Sequence, residues 1–209
     1  MTRGELQARI LERLNDPDGV FVTAAAVQTS IGEALEVLAE DAGAIRRTGF
    51  IPRQPGTHLY DLGWIGPDVM APWRVWDLTR TQRLAAVSMR DLDHEHAHWP
   101  TVFGEPDYWF PVSWDTFGIW PGTATGGGVL RVDYLAWPRT LLDDGDEPDW
   151  PRADHDALVD YGEYEGRLAR WEAMPALEAW GRFQGRTGLA TERRATALQA
   201  RAWQRGAAE

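Results

Sequence analysis

The chain has 209 residues, 44% of them hydrophobic, a net charge of -11 and no cysteine. That length can bury one full core or two small ones without disulfides, and the lack of cysteine excludes thiol catalysis, thiolate metal sites and disulfide staples. The acidic balance, with a pI near 4.9, argues against broad attraction to nucleic-acid phosphates or an anionic membrane. All 21 basic residues are arginine, a bias expected of a GC-rich coding sequence. No run is long and apolar enough to span a bilayer, and MTRGELQARILERL lacks the apolar core of a signal peptide, so an intracellular protein is expected.

Residues 2–14 place Leu6, Ile10 and Leu14 at helical spacing, with Thr2 and Glu5 as a capping-box pair. The turn NDPDG ends this helix. A second helix over about 23–42 carries Val27, Ile31, Leu35, Leu38 and Ala42 on one stripe, with Thr23 as N-cap and Gly43 as stop. The pair predicts an N-terminal helical hairpin.

From residue 44 the pattern turns to short strands. AIRRTGFIPR and THLYDL flank QPG, which predicts a tight hairpin; PWRVWDLTR is a further strand, and SMRDLD a one-turn helix capped by Ser88. DYWFPVSW and FGIWP lie either side of Asp115-Thr116, and GVLRVDYLAW follows GTATGGG, so three successive strands read as an antiparallel meander. After LLDDGDEPDWP the helical period returns, with Leu158, Tyr161, Leu168 and Trp171 over 152–172. From Pro175 it continues through Leu177, Trp180, Phe183, Leu198 and Trp203. The order predicts an α+β fold: an N-terminal helical hairpin, a central antiparallel meander or small sheet, and C-terminal helices. Residues 1–43 and 151–205 are expected to form one helical domain, with 44–150 as an inserted β-rich domain.

GEPDYWFPVSWDTFGIWPG, residues 104–122, concentrates six aromatic residues. In a strand, Tyr108, Phe110, Val112 and Trp114 share the face assigned to the core, leaving Trp109 on the other. Twelve tryptophans exceed what one modest core hides. Trp64, Trp73, Trp76, Trp99, Trp109, Trp120, Trp137 and Trp150 fall near strand ends or in loops, a distribution that points to contact with a protein or a sugar.

Catalytic constellations are sparse. None of Ser30, Ser88 and Ser113 sits in a nucleophile elbow, and GTATGGG lacks the Gly-Lys-Ser/Thr ending of a phosphate cradle, so it reads as a hairpin loop. In DHEHAHW, an extended backbone would align His94, His96 and His98 on one face toward a divalent metal; the flanking residues favour a solvated loop instead. The acidic DDGDEPD lacks the spaced ligands of a calcium loop and reads as a solvated connector. Paired carboxylates for glycoside hydrolysis can be drawn in many places, and nothing singles out one pair.

The ordered pieces GELQARILERL, SIGEALEVLAEDAGAIRRTGFI, PGTHLYDL, GEPDYWF with its I-W-P turn, VLRVDYLAWPRTLLDDGDEPDWP and DHDALVDYGEYEGRLAR give the chain a recognisable layout. Over about residues 2–185 it resembles the head-to-tail adaptor (connector) proteins of tailed bacteriophages and related gene transfer particles. TGLATERRATALQARAWQRG has no counterpart in that pattern.

The resemblance implies a structural virion protein without catalysis or cofactor, assembled in the host cytoplasm and resident at the head-tail interface. It implies a homo-oligomeric ring, dodecameric, that binds the portal protein above and a tail, stopper or nozzle protein below, while DNA passes through the lumen unbound. Trp109, Trp120, Trp137 and Trp150 are then the candidates for intersubunit or partner contact. Arg182, Arg186, Arg193, Arg194, Arg201 and Arg205, in an arginine-rich C-terminal stretch, are the candidates for docking on an acidic portal. The same tryptophans also fit a second class, a carbohydrate-binding module with Trp109 and Trp120 stacked on sugar faces. A third class is a metal-dependent enzyme using the three histidines.

Overall fold

The computed structural model of the chain describes residues 1–43 and 45–188. Two compact units emerge, Met1–Ala44 with Pro138–Glu209, and Ile45–Trp137. The fold class is α+β, as the element order predicts. Segment 138–150, expected with the strands, packs with the helices instead, because Leu141 and Trp150 bury into the helical core.

The helical unit contains α1 (Arg3–Arg13), α2 (Ala24–Ala42), α4 (His155–Ala169) and α5, helical over 173–188. The local signals act as expected: Thr2 and Glu5 form the capping box, Thr23 accepts from the Ala26 N–H, and Gly43 ends α2 at φ 50°. Leu6, Ile10 and Leu14 are fully buried against α4. Gly162 and Gly166 allow that approach, since a Cβ on either would lie 2.4 Å from a methyl of Ile10 or Leu14.

The acidic segment is an ordered strap, not a solvated connector. The Arg3 N–H donates to the Asp146 carbonyl at 2.7 Å and the Gly4 N–H to the Asp144 carbonyl at 3.0 Å, satisfying open donors of the first turn of α1. The Asp146 carboxylate accepts from the Leu142 and Asp143 N–H groups, which holds its pKa below the usual carboxylate range.

The β unit holds two sheets. The first has the order β1 (Arg46–Pro52), β9 (Val129–Ala136), β3 (Val69–Asp77), β4 (Gln82–Arg83). The second runs β2 (Thr57–Asp61), β8 (Thr116–Thr123), β7 (Tyr108–Pro111), β5 (Ala85–Ala86), with β6 (Phe103–Gly104) also on β8. A short helix α3 (Met89–Glu95), capped by Ser88, lies between β5 and β6 and is longer than the single turn expected.

Two connections differ from the sequence expectation. QPG does not close a hairpin: β1 pairs with β9 while β2 pairs with β8, so the turn carries the chain from one sheet to the other. Likewise β7 and β8 form the predicted antiparallel pair, but GTATGGG crosses back to the first sheet, where β9 enters between β1 and β3. Arg53 ties this crossing together. Its guanidinium meets Asp77 at 2.7 Å and Glu105 at 3.0 Å, and its Nε donates to the Gly127 carbonyl at 3.0 Å. Gly128, at φ 89°, must be glycine there, because a Cβ would fall 2.1 Å from the Thr79 hydroxyl.

His155 opens α4 with no exposed surface. Its Nε2 lies 2.9 Å from the Trp150 carbonyl and its Nδ1 2.8 Å from the Met1 nitrogen, an arrangement suited to a neutral ring donating through Nε2. Burial lowers its pKa from the ordinary 6.5. Because the unfolded chain then binds a proton that folded His155 refuses, stability should fall as pH drops from about 7 toward 5. His155→Gln should flatten that part of the slope, as read from urea midpoints across the same range.

Candidate interaction surfaces

The tryptophans expected to face a partner divide. Trp109 is 6% exposed, opposite Ile119 in the β7–β8 pair, and Trp150 is 5% exposed in the helical core. Neither has surface left for a neighbouring subunit. Trp120 is half-buried, with His96 stacked on it at 4.4 Å and Tyr108 tilted against it at 5.5 Å. Of the pair expected to stack on a sugar, Trp109 is therefore buried and Trp120 already carries His96 on its ring; Trp137 is half-buried. The strand-face assignment is corrected too: Phe110 is buried, but Tyr108 and Val112 are partly exposed and Trp114 is 85% exposed. The strand ends at Pro111, so Val112 and Trp114 belong to the hairpin tip.

The three histidines do not share a strand face. His94 lies in α3, His96 is its C-cap and His98 precedes a short 3-10 turn. Among the described residues, no group of three His, Asp or Glu side chains is placed to hold a metal ion.

Arg182 and Arg186 are engaged inside the helical unit. The Asp160 carboxylate, with no exposed side-chain surface, receives Arg13 at 2.5 Å, Arg182 at 3.2 Å and Arg186 at 2.6 Å. Glu163, one turn further along α4, receives Arg13 at 3.3 Å, Arg182 at 2.7 Å and Arg167 at 3.4 Å. These cations hold α1 and α5 on α4, and Arg182 and Arg186, named as docking candidates, spend part of their charge inside the subunit while their side chains stay 40% and 39% exposed. Arg193, Arg194, Arg201 and Arg205 lie outside the described residues.

Apolar surface concentrates at one end of this unit. In the loop before α2, Val20 is 73% and Phe21 72% exposed; around the α4–α5 turn, Leu168 is 42%, Trp171 94%, Met174 69% and Leu177 61% exposed. Sequence periodicity put Leu168 and Trp171 on the buried stripe, but α4 ends at Ala169 and the turn carries Trp171 outward. Both segments are fixed. Asp16 accepts the N–H groups of Val20, Phe21 and Val22 at 2.8–2.9 Å, and Arg170 donates to the Leu14 carbonyl at 2.6 Å with its guanidinium 5.3 Å from the Phe21 ring centroid. The Trp171 N–H bonds the Leu168 carbonyl and the Glu172 N–H the Arg167 carbonyl, the two bonds of a Schellman motif. Trp171 occupies its left-handed position at φ 60°, where glycine is usual and a side chain costs roughly 1–2 kcal/mol.

A family model described as SU10 adaptor protein matches residues 1–209. The chain belongs to the SU10 adaptor protein family. It is thus a phage head-to-tail adaptor by family, as the ordered pieces of its sequence imply. Comparison with curated proteins gives no match.

A second surface in this SU10 adaptor family member lies on the outer face of β1–β9–β3. Arg46, Thr48 and Phe50 stand opposite Leu135, Asp133 and Arg131, and Phe50 is 58% exposed. The Arg46 guanidinium sits 3.1 Å from the Trp73 ring centroid, Arg74 lies 5.5 Å away on the same ring, and Arg47 pairs with Asp68. In an acidic chain this is a local basic and aromatic patch.

Asp160→Asn should destabilise the protein toward the low end of the roughly 3–5 kcal/mol seen when one partner of a buried ion cluster is removed, because the guanidinium groups keep some solvent. Urea denaturation measures it, and a loss below about 1 kcal/mol would show that the cluster does not hold the helices.

Proposed function

We propose that the chain assembles as a homo-oligomeric ring, a dodecamer, beneath the portal, joins the capsid to the next tail component, and lets DNA pass through its lumen without specific binding. Its role is structural, at the head-tail interface of the virion. The observation that carries the reading is the adaptor family match along the whole chain. The surfaces are compatible with it: a ring needs one surface to meet a different one on its neighbour, and this subunit exposes a rigid apolar platform and a separate basic, aromatic face. A net charge of -11 suits a lumen that must not retain phosphates. No helix among the described residues is long and apolar enough to cross a membrane.

Native mass spectrometry of the protein with the portal ring encoded in the same genome tests this. Stepwise addition up to a closed ring is expected; no binding across a range of salt overturns the assembly reading. Arg193, Arg194 and Arg201 remain the candidates for docking on an acidic portal. Replacing all three with glutamate should weaken docking most at low ionic strength, and unchanged docking there would remove that role from the segment.

A further inference from the structure

We propose that the outer face of β1–β9–β3–β4 docks an acidic segment of a different protein that joins the adaptor ring, with one Asp or Glu side chain seated in the hollow beside Trp73. The inference rests on the adaptor reading and narrows it: of the two exposed surfaces, the basic one meets another protein rather than a neighbouring copy. Register builds the face. Phe50, Arg131, Trp76 and Arg83 form one row across the four strands, and Thr48, Asp133 and Arg74 form the next. The register of β3 shifts at Trp73, between Pro72 and Arg74, and brings Trp73 to the same hollow as Arg74, although neighbours along a regular strand point to opposite faces. The indole there carries the Arg46 guanidinium at 3.1 Å and the Arg74 guanidinium at 5.5 Å from its centroid. The hollow has a volume of about 160 Å³, and Thr48 and Arg131 complete its wall.

Charge selects the occupant first. Arg46, Arg74, Arg83 and Arg131 stand on this face against one carboxylate, Asp133, in a chain where 32 acids outnumber 21 arginines. Asp133 already takes Arg131 at 2.9 Å and the Thr48 hydroxyl at 2.9 Å. Among the described residues, the side chains of Arg74 and Arg83 have no hydrogen-bond or ion-pair partner, so their charge is open to an anion from outside the subunit. The apolar residues then separate protein from nucleic acid. Exposed Phe50 and half-buried Leu135, Trp73 and Trp76 offer surface that a phosphate backbone would leave wet, and Asp133 in their midst repels a continuous line of phosphates. A polypeptide with spaced carboxylates and apolar side chains covers both, and arginine with aromatic residues is the composition of a protein interface. Each copy brings a net charge of -11, so a ring of copies repels an acidic partner over most of its surface. A positive face repeated on every subunit steers such a partner to one place.

The chain has no lysine, so Arg74→Lys puts a single side-chain amine on this face. It is combined with Asp133→Asn, which removes the adjacent carboxylate, and the variant is assembled on the portal ring with the tail component encoded in the same genome. A carbodiimide should then form an amide between position 74 and an Asp or Glu of another protein, identified by mass spectrometry of the linked peptides. In parallel, Arg74→Gln with Arg83→Gln should keep the melting temperature within about 2 °C, since neither side chain has a polar partner in the subunit. The same variant should bind that protein about tenfold or more weakly at low salt, with the difference shrinking as salt rises. If the wild type assembles but the amide reaches only a second copy of this chain, or no protein, the assignment is overturned and the adaptor reading stands. It is overturned equally if the glutamine variant loses only its retention of a duplex DNA probe. If the wild type does not assemble at all, both fall.

Discussion

The helical unit depends on what happens to the Asp160 carboxylate. Removing a carboxylate from water costs several kcal/mol, and this one has no exposed surface, so it is tolerable only with cations brought to it. They come from both ends of the chain: Arg13 from α1, Arg182 and Arg186 from α5. Arginine suits the task because its planar fork meets two carboxylates at once, as Arg13 and Arg182 do across Asp160 and Glu163. A residue pattern that composition reads as genomic bias is put to structural use.

The same device extends to the surface. One turn after Glu163, Arg167 pairs with it and donates to the Arg13 carbonyl at 3.0 Å; Arg170 then takes the Leu14 carbonyl. The C-terminal end of α1 is thereby capped by cations where its dipole favours them. Because Arg170 also stacks on Phe21, the exposed apolar loop inherits its position from the buried ion cluster. In the β unit Arg53 plays the corresponding part: its pairing with fully buried Asp77 fixes the point where the chain leaves one sheet for the other.

How much of this could be read in advance follows from the range of each interaction. Caps are local, so Thr2, Thr23, Gly43 and Ser88 were legible one helix at a time. Strand existence was legible from alternation, but strand partnership was not. Alternation along β8 and β9 is the same whether they pair with each other or with β2 and β1, and only the long-range register decides. The strap at 138–150 was misread because an acidic run normally marks solvated chain; here its carbonyls and carboxylates satisfy the start of α1. For the tryptophans, burial depends on what covers a strand from above. Trp109 and Trp114 look alike in sequence, and a hairpin boundary separates them.

Trp171 was missed for a different reason, and the sequence does hold its signal. Between the helical pattern carried to residue 172 and the one that begins at Pro175 there is no glycine, although helices very commonly end on a left-handed residue. At the end of α2 the same requirement is met by Gly43. Where a turn that wants glycine carries a tryptophan, propensity and conformation conflict, and such conflicts gather at sites selected for something other than stability. Exposure alone would say little, since single apolar residues are common on any surface. Trp171 differs in that its exposure comes with a strained backbone and five other exposed apolar side chains, two in the loop before α2 and three around the α4–α5 turn, the kind of grouping found where proteins meet partners.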